Sequence, residues 1–441
     1  MANRPDELLY GLDDKPPTPI LFLLSIQHIF LMSSTLVLPV VLVLEIGGTM
    51  DDVRIVVAMT MVAAGLGTII QATRGPGIGS GLLCPNLCGP NFFAVSMEAA
   101  WLGGLPLMRG MTIAAGFVEM LLARFFHRLA FLFPPEITGV VVLMVAISII
   151  PLGVSKFFGV NYSNEYIDTL NLSIAVLTLL VMIGANVIKG GKLKLYSVLL
   201  GLPFGYVLSF ITGATSIDAF DQVKEAAWFG LPSFGSMMDI SFSWSLLPAF
   251  IIVSICGALK TYGNLAMAES INDKNWQRPN VKRMGGGLMA DACSITAAGL
   301  LGGMATDTSA SNVSLSKASG ATSRIIGFVA GLLFILLGFS PKLSGILAIM
   351  PMPVMGAILI FVVSFMIMAG IQIIIDSKPD AICVFVVGVS LTFGLSLQAM
   401  PELYALMPTW LRPIFSSALS FTGVLAIVLN QLLSFGQKRQ L

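Results

Sequence analysis

The 441-residue chain is 56% hydrophobic and 11% charged, with a mean hydropathy of +0.91 and a formal net charge of +1. So little charge excludes a soluble domain of this size, and neither a catalytic module nor a nucleic-acid partner is expected. The composition is that of a chain that crosses a lipid bilayer many times.

Residues 1–16, with Asp6, Glu7, Asp13 and Asp14, are too acidic to open a secretory signal, and no cleavage site follows the first apolar run. Apolar windows long enough to span then fall near 20–44, 52–73, 108–130, 134–157, 171–189, 194–213, 245–268, 284–303, 324–340, 343–370, 378–399 and 411–433. Two stretches, 84–100 and 306–322, mix Pro, Gly, Asn, Ser and Thr with apolar residues. Broken transporter helices read this way, because irregular backbone survives at membrane depth only where protein or a cavity lines it. With both included, the sequence predicts an all-α polytopic membrane protein of 14 transmembrane segments. The broken segments come third and tenth, which is third in each group of seven. That order predicts two inverted seven-span repeats.

Threading these spans from a cytoplasmic N-terminus puts Arg74, Arg124, Arg128, Lys189, Lys192, Lys194, Lys274, Arg278, Lys282, Arg283, Arg324 and Lys378 in the inner gaps. The outer gaps receive only Arg54, Arg109, Lys156, Lys224, Lys342 and Arg412. This is the positive-inside pattern, and removing one polar span would invert it. Both termini are therefore expected in the cytoplasm of a multi-pass plasma-membrane protein, the inner membrane in a bacterium. The gap 214–244 is the one sizeable outer loop, with room for an interfacial helix over Asp218–Trp228.

Polar residues inside apolar spans are the candidates for transport chemistry. Gln27-His28 lies in the first span, where His28 either makes an interhelical hydrogen bond or lines a site. His127, beside Arg124 and Arg128, reads as a surface residue. Cys84 and Cys88 have no further Cys or His near them in sequence, so they read as packing residues and no metal is expected. In Asn91-Phe92-Phe93, a helix following Gly and Pro exposes free N–H groups, and either Phe is placed to stack on a flat ligand or simply to pack. Glu119 is mid-span and either pairs with another helix or takes a coupling proton. Lys260 lies midway along 246–268, with the nearest acid in sequence, Glu269, nine positions away. A buried ammonium needs an anion, either Asp307 or a substrate; snorkelling would be strained at this depth. Thr306-Asp307-Thr308-Ser309 runs on through Ser311 and Asn312, more polar groups than a helix cap requires.

Several of these segments resemble the nucleobase–ascorbate transporter family, the nucleobase:cation symporter-2 group, over about residues 16–435. Gln27-His28 is similar to the family's first-span Gln-His. Ser311-Asn312 through Ser323-Arg324 resembles its tenth-span motif, with Asn312, Gly320, Ser323 and Arg324 matching and Ser319 in place of Thr. Lys260-Thr261-Tyr262-Gly263-Asn264 aligns with the family's eighth-span Glu-x-x-Gly-Asp or Glu-x-x-Gly-His. Met284 to Asp291 resembles the start of its ninth span. Glu269-Ser-Ile-Asn-Asp273 is a second register for the eighth-span motif, rejected because it leaves too few residues before Gly285. Lys260 and Ser311 thus stand where the family has its two substrate-clamping side chains. Charged lysine accepts no hydrogen bond from a base, so an oxidised purine or an anion suits the site better than uracil, and Asp307 can supply the missing carboxylate.

The resemblance implies a core of residues 20–133 and 245–340, and a gate of 134–213 and 341–433. The tails are 1–19 and 434–441, and short extended strands are expected in spans three and ten. It further implies a secondary active transporter rather than an enzyme, without cofactors and often homodimeric. Coupling is to protons, with sodium as the alternative, through Glu119, Asp307 or His28. The expected substrate is xanthine or urate, contacted by Lys260, Asn264, Phe92, Phe93, Asn91, Asp307, Ser311, Asn312 and His28. The competing expectations are a small anion held by Lys260, such as sulfate, a dicarboxylate or ascorbate, and uracil.

Overall fold

A computed structural model describes residues 5, 8–129, 135–160, 167–188, 197–214, 223–224, 226–230, 239–276, 279–376, 380–407 and 418–438. The interfacial helix expected over Asp218–Trp228 lies largely outside them.

Helices α1 (Thr18–Ser33) and α2 (Val37–Glu45) make one long apolar run. Helix α3 (Met50–Ala72) starts at a capping box: the Thr49 hydroxyl accepts from Asp52 N–H, and the Asp52 carboxylate accepts from Thr49 N–H. Irregular backbone then leads into strand β1 (Asn86–Cys88). Gly89 and Pro90 end the strand, and Pro90, which has no N–H to give, opens helix α4 (Pro90–Leu129).

The windows 84–100 and 108–130 are joined within α4, across a kink at Gly103 and Gly104. Gly104, at φ 68° and ψ −167°, occupies a region essentially closed to other residues. Helices α5 (Pro135–Phe158), α6 (Thr169–Val187) and α7 (Ser197–Ile211) follow.

The second half opens with α8 (Leu247–Ser270) and α9 (Val281–Leu301), then strand β2 (Thr306–Thr308) and α10 (Ala310–Ser319). Helix α11 (Arg324–Gly338) bends by 75° into α12 (Pro341–Ala348). The window 343–370 is therefore not one helix. Pro351 interrupts it, since it lacks a donor and disfavours helical backbone before it, and α13 begins only at Met352 (Met352–Asp376), with Pro353 in its first turn, where a missing N–H costs nothing. Helices α14 (Ala381–Ala399), α15 (Pro401–Ala405) and α16 (Ala418–Lys438) complete the described chain. Among the described residues, nine helices are long and apolar enough to cross a membrane, or ten with the bent pair. The protein is an all-α polytopic membrane bundle.

Packing divides the helices into two groups. Helix α4 lies along α9 and α8, while α3 lies along α11 and α9. Helix α5 packs on α13, α16 and α14, and α6 on α7 and α13. The closest crossings use glycine. A methyl on Gly65 would sit 2.6 Å from the Gly331 carbonyl oxygen, and one on Gly139 would sit 2.8 Å from that of Gly370. Small residues let helix backbones approach in this way where lipid provides no hydrophobic drive.

The N-terminal segment is built into the first group. Tyr10 bridges Ala321, and the Asp13 carboxylate joins Arg74 at 3.0 Å to Arg324 at 2.9 Å.

Candidate functional site

The two polar segments meet as an antiparallel strand pair, with Asn86 opposite Thr308, Leu87 opposite Asp307 and Cys88 opposite Thr306. Gly89 N–H donates to Ala305 O and Ser309 N–H to Pro85 O, both at 2.9 Å, so the buried backbone is satisfied at each end. Each strand runs directly into a helix N-terminus, that of α4 or of α10. Ser309 caps α10 by accepting from Asn312 N–H at 3.2 Å.

Asp307 projects from β2, fully buried, towards α8. Lys260 Nζ donates to its Oδ2 at 2.5 Å, and Asn91 Nδ2 donates to the same oxygen at 2.9 Å. Asp307 Oδ1 is buried and accepts no hydrogen bond. The Lys260 side chain is 28% exposed, so its ammonium lies at the rim of the network with Asp307 behind it. A turn further along α8, a methyl on Gly263 would meet open space. Ser311, in the first turn of α10, is exposed.

Asn264 is committed to the strand: its Nδ2 donates to Thr308 Oγ1 at 3.0 Å and to Thr308 O at 3.2 Å. Asn312 and His28 form a supporting pair. Asn312 Nδ2 donates to Ser309 Oγ at 2.9 Å, which leaves its Oδ1 to accept from His28 Nδ1 at 2.7 Å and puts the ring proton on Nδ1. His28 is 1% exposed, so it ties α1 to α10 and does not line an open surface.

The two phenylalanines diverge. Phe92 packs against α8, its ring 3.5 Å from where a methyl on Gly257 would lie. Phe93 turns to a cavity of about 340 Å³ between α4 and helices α5, α14 and α16, which Glu98, Trp101, Ser148 and Gln398 also line. Of the residues expected to contact substrate, only Phe93 borders that cavity. Lys260 and its partners form a separate cluster.

The sequence reading missed part of this network. Asp291, on α9, accepts from Asn86 Nδ2 at 2.5 Å and from Thr261 Oγ1 at 2.6 Å, and Thr261 also bonds Thr308 at 2.8 Å. Asp291 is an acid inside the apolar window 284–303, legible on the same ground as Glu119. Thr308 fell in the polar run and Thr261 in the eighth-span motif without a role assigned to either, and Asn86 is a short polar side chain with no such signal. Glu119, from α4, is fully buried; no donor reaches either oxygen, and the group facing it is the Asp291 carboxyl.

Two charges prove structural. Glu269 accepts from Trp276 Nε1 and Asn280 N–H and pairs with Arg283 at 3.1 Å, bracing the α8–α9 turn. Arg109, expected in an outer gap, is 5% exposed and donates to the carbonyls of Gly299 and Leu300, capping α9.

The sequence profile of the Permease family matches residues 19–403. The xanthine permease XanP of Escherichia coli K12 is 26% identical over 96% of this chain and 94% of its own length. The uric acid permease PucJ of Bacillus subtilis strain 168 is 27% identical over 95% of this chain and 94% of its own length. Among solved structures, the transmembrane domain of the cyanobacterial bicarbonate transporter BicA shares the fold. Its TM-score is 0.59 at 11% identity, over 95% of this chain and 99% of that one.

Proposed function

The chain belongs to the xanthine and uracil permease family, the nucleobase:cation symporter-2 group, and from that premise we propose that it imports an oxidised purine, xanthine or urate, by cation-coupled secondary transport. One observation carries the substrate reading, the arrangement of Lys260, Asp307 and Asn91 around a single carboxylate oxygen. An oxidised purine presents ring N–H donors beside carbonyl oxygens, and urate carries negative charge near neutral pH. Lys260 at the rim suits the oxygens or the anionic ring, and Asp307, buried behind it, is the carboxylate a ring N–H would meet once Lys260 is drawn aside. The Ser311 hydroxyl and the α10 N-terminus add donors on the same side. Phe93 offers a stacking face on the route through the neighbouring cavity. Asn264, Asn312, His28 and Phe92 hold the strands and helix N-termini in place behind the site.

The proposed topology is fourteen spans in two inverted repeats, with both termini cytoplasmic. In its support, the strand register centres on Leu87 opposite Asp307, and the α3–α11 packing is mirrored by α4–α9. Residues 20–133 and 245–340 form the moving core, and 134–213 and 341–433 the gate, which also carries the homodimer surface. Rocking one group against the other gives alternating access. The coupling ion is the proton, with Glu119, Asp307 and His28 as the titrating candidates.

Thermal stabilisation of the purified protein tests the substrate class. Xanthine and urate are expected to raise the melting temperature more than adenine, uracil, ascorbate, sulfate or dicarboxylates do. Stabilisation by sulfate or a dicarboxylate, with none by any purine, would replace this reading with an anion carrier that uses Lys260.

A further inference from the structure

Three buried carboxyl groups, Glu119, Asp291 and Asp307, share one neighbourhood with one ammonium, Lys260. Asp307 is compensated by Lys260 and Asn91. Asp291 already accepts two hydrogen bonds, from Asn86 and Thr261. Glu119 has no donor at either oxygen and faces an acceptor. Two ionised carboxylates in contact without a donor between them would carry an uncompensated charge in a water-free interior, at a cost of many kcal/mol. One proton removes the conflict: as a neutral acid, Glu119 donates to Asp291 and both groups are satisfied.

We propose that Glu119 and Asp291 form the binding site of the transported proton, held between α4 and α9 and separate from the purine-contacting groups. The proposal rests on the transport reading above and specifies where its coupling ion sits. The ionisable groups facing Glu119 are Asp291 from α9 and Asp307 from β2; on α8, Lys260 is paired to Asp307. Helices α2 and α5 carry theirs only at their ends, at Glu45, Glu136 and Lys156.

Coupling to the substrate follows from charge. An anionic or strongly accepting purine that engages Lys260 draws its ammonium away from Asp307. The cluster then becomes more negative, and it holds the Glu119–Asp291 proton more tightly. By reciprocity the proton strengthens substrate binding. Hydrogen bonds run from Asp291 through Thr261 to Thr308, the residue that follows Asp307 on β2.

The test uses the full-length protein in proteoliposomes and the variant Glu119→Gln. Gln donates to Asp291 as the neutral acid does, yet it cannot release a proton. Exchange of purine for purine, which needs no net proton movement, is expected to persist in E119Q. Accumulation driven by a pH gradient is expected to fall about tenfold or more, the scale of a coupling free energy. The infrared spectrum of the wild type is expected to show a protonated-carboxyl C=O band that E119Q lacks.

Wild-type-like accumulation by E119Q would overturn the proposal. If the wild type itself accumulates no purine, the transport reading fails instead. If E119Q does not fold, the wild-type spectrum still decides: a carboxyl band whose loss with rising pH tracks the loss of accumulation supports the site, and a purine-bound protein without that band rejects it.

Discussion

The residues that stood out in the sequence were charges placed where hydrocarbon should exclude them. Lys260, Asp307 and Glu119 were legible for that reason, and the Lys260–Asp307 pairing is the contact that the cost of a lone ammonium demands. Asn91, Asn264 and Asn312 were legible as polar groups in an apolar context. Their differing tasks were not, because only the strand register decides which amide meets Asp307 and which meets Thr308. The two phenylalanines carry no sequence signal to separate them, since a helical step of about 100° turns one to α8 and the other to a cavity.

At this scale Lys260→Met makes a double prediction. It removes the cation beside a fully buried carboxylate, at a cost approaching about 3 kcal/mol, the lower end for a broken buried pair because Lys260 is partly exposed. Adding Asp307→Asn is expected to recover most of that stability in a thermal melt, without recovering urate binding. If the double variant binds urate as the wild type does, Lys260 acts only as a structural partner.

Among the elements, the two strands mark where apolar periodicity stops being informative. Pro85, Gly89 and Pro90 flag a break, and the Thr-Asp-Thr run before Ser309 flags another, yet three-residue strands have no pattern of their own to read. Their pairing is a tertiary fact, made by the helices that carry them. The joining of two windows in α4 was hidden for a related reason: Gly103 and Gly104 look like a loop, but they kink a continuous run. Gly104→Ala is expected to destabilise the protein by about 1–3 kcal/mol, the strain of a side chain in a conformation reserved for glycine. Gly103→Ala, at φ −151°, is expected to cost less through backbone strain, although its methyl would approach Leu107. Equal melting temperatures for G104A and the wild type would show that the bend is set by neighbouring helices and not by Gly104.

The molecule as a whole was read from hydropathy and the side on which positive charge collects, and its helical, membrane-spanning class follows from those alone. What hydropathy cannot supply is which helix lies beside which. That is fixed by glycine crossings such as Gly65 on Gly331, and by ion pairs such as Lys156 with Glu45 at 2.5 Å, which ties α2, packed on α3 and α4, to α5 of the other group. An ion pair at that boundary is one that a rocking motion must break or carry.

Purine import driven by a cation gradient is decided by a single transport assay. Its most direct test is uptake of labelled xanthine and urate by proteoliposomes with an imposed pH gradient, acid outside, run beside labelled sulfate and a dicarboxylate. Purine is expected to accumulate above the external concentration, and collapse of the gradient by a protonophore is expected to abolish that accumulation. Concentration of sulfate or the dicarboxylate, with xanthine and urate no higher than in empty vesicles, would contradict it.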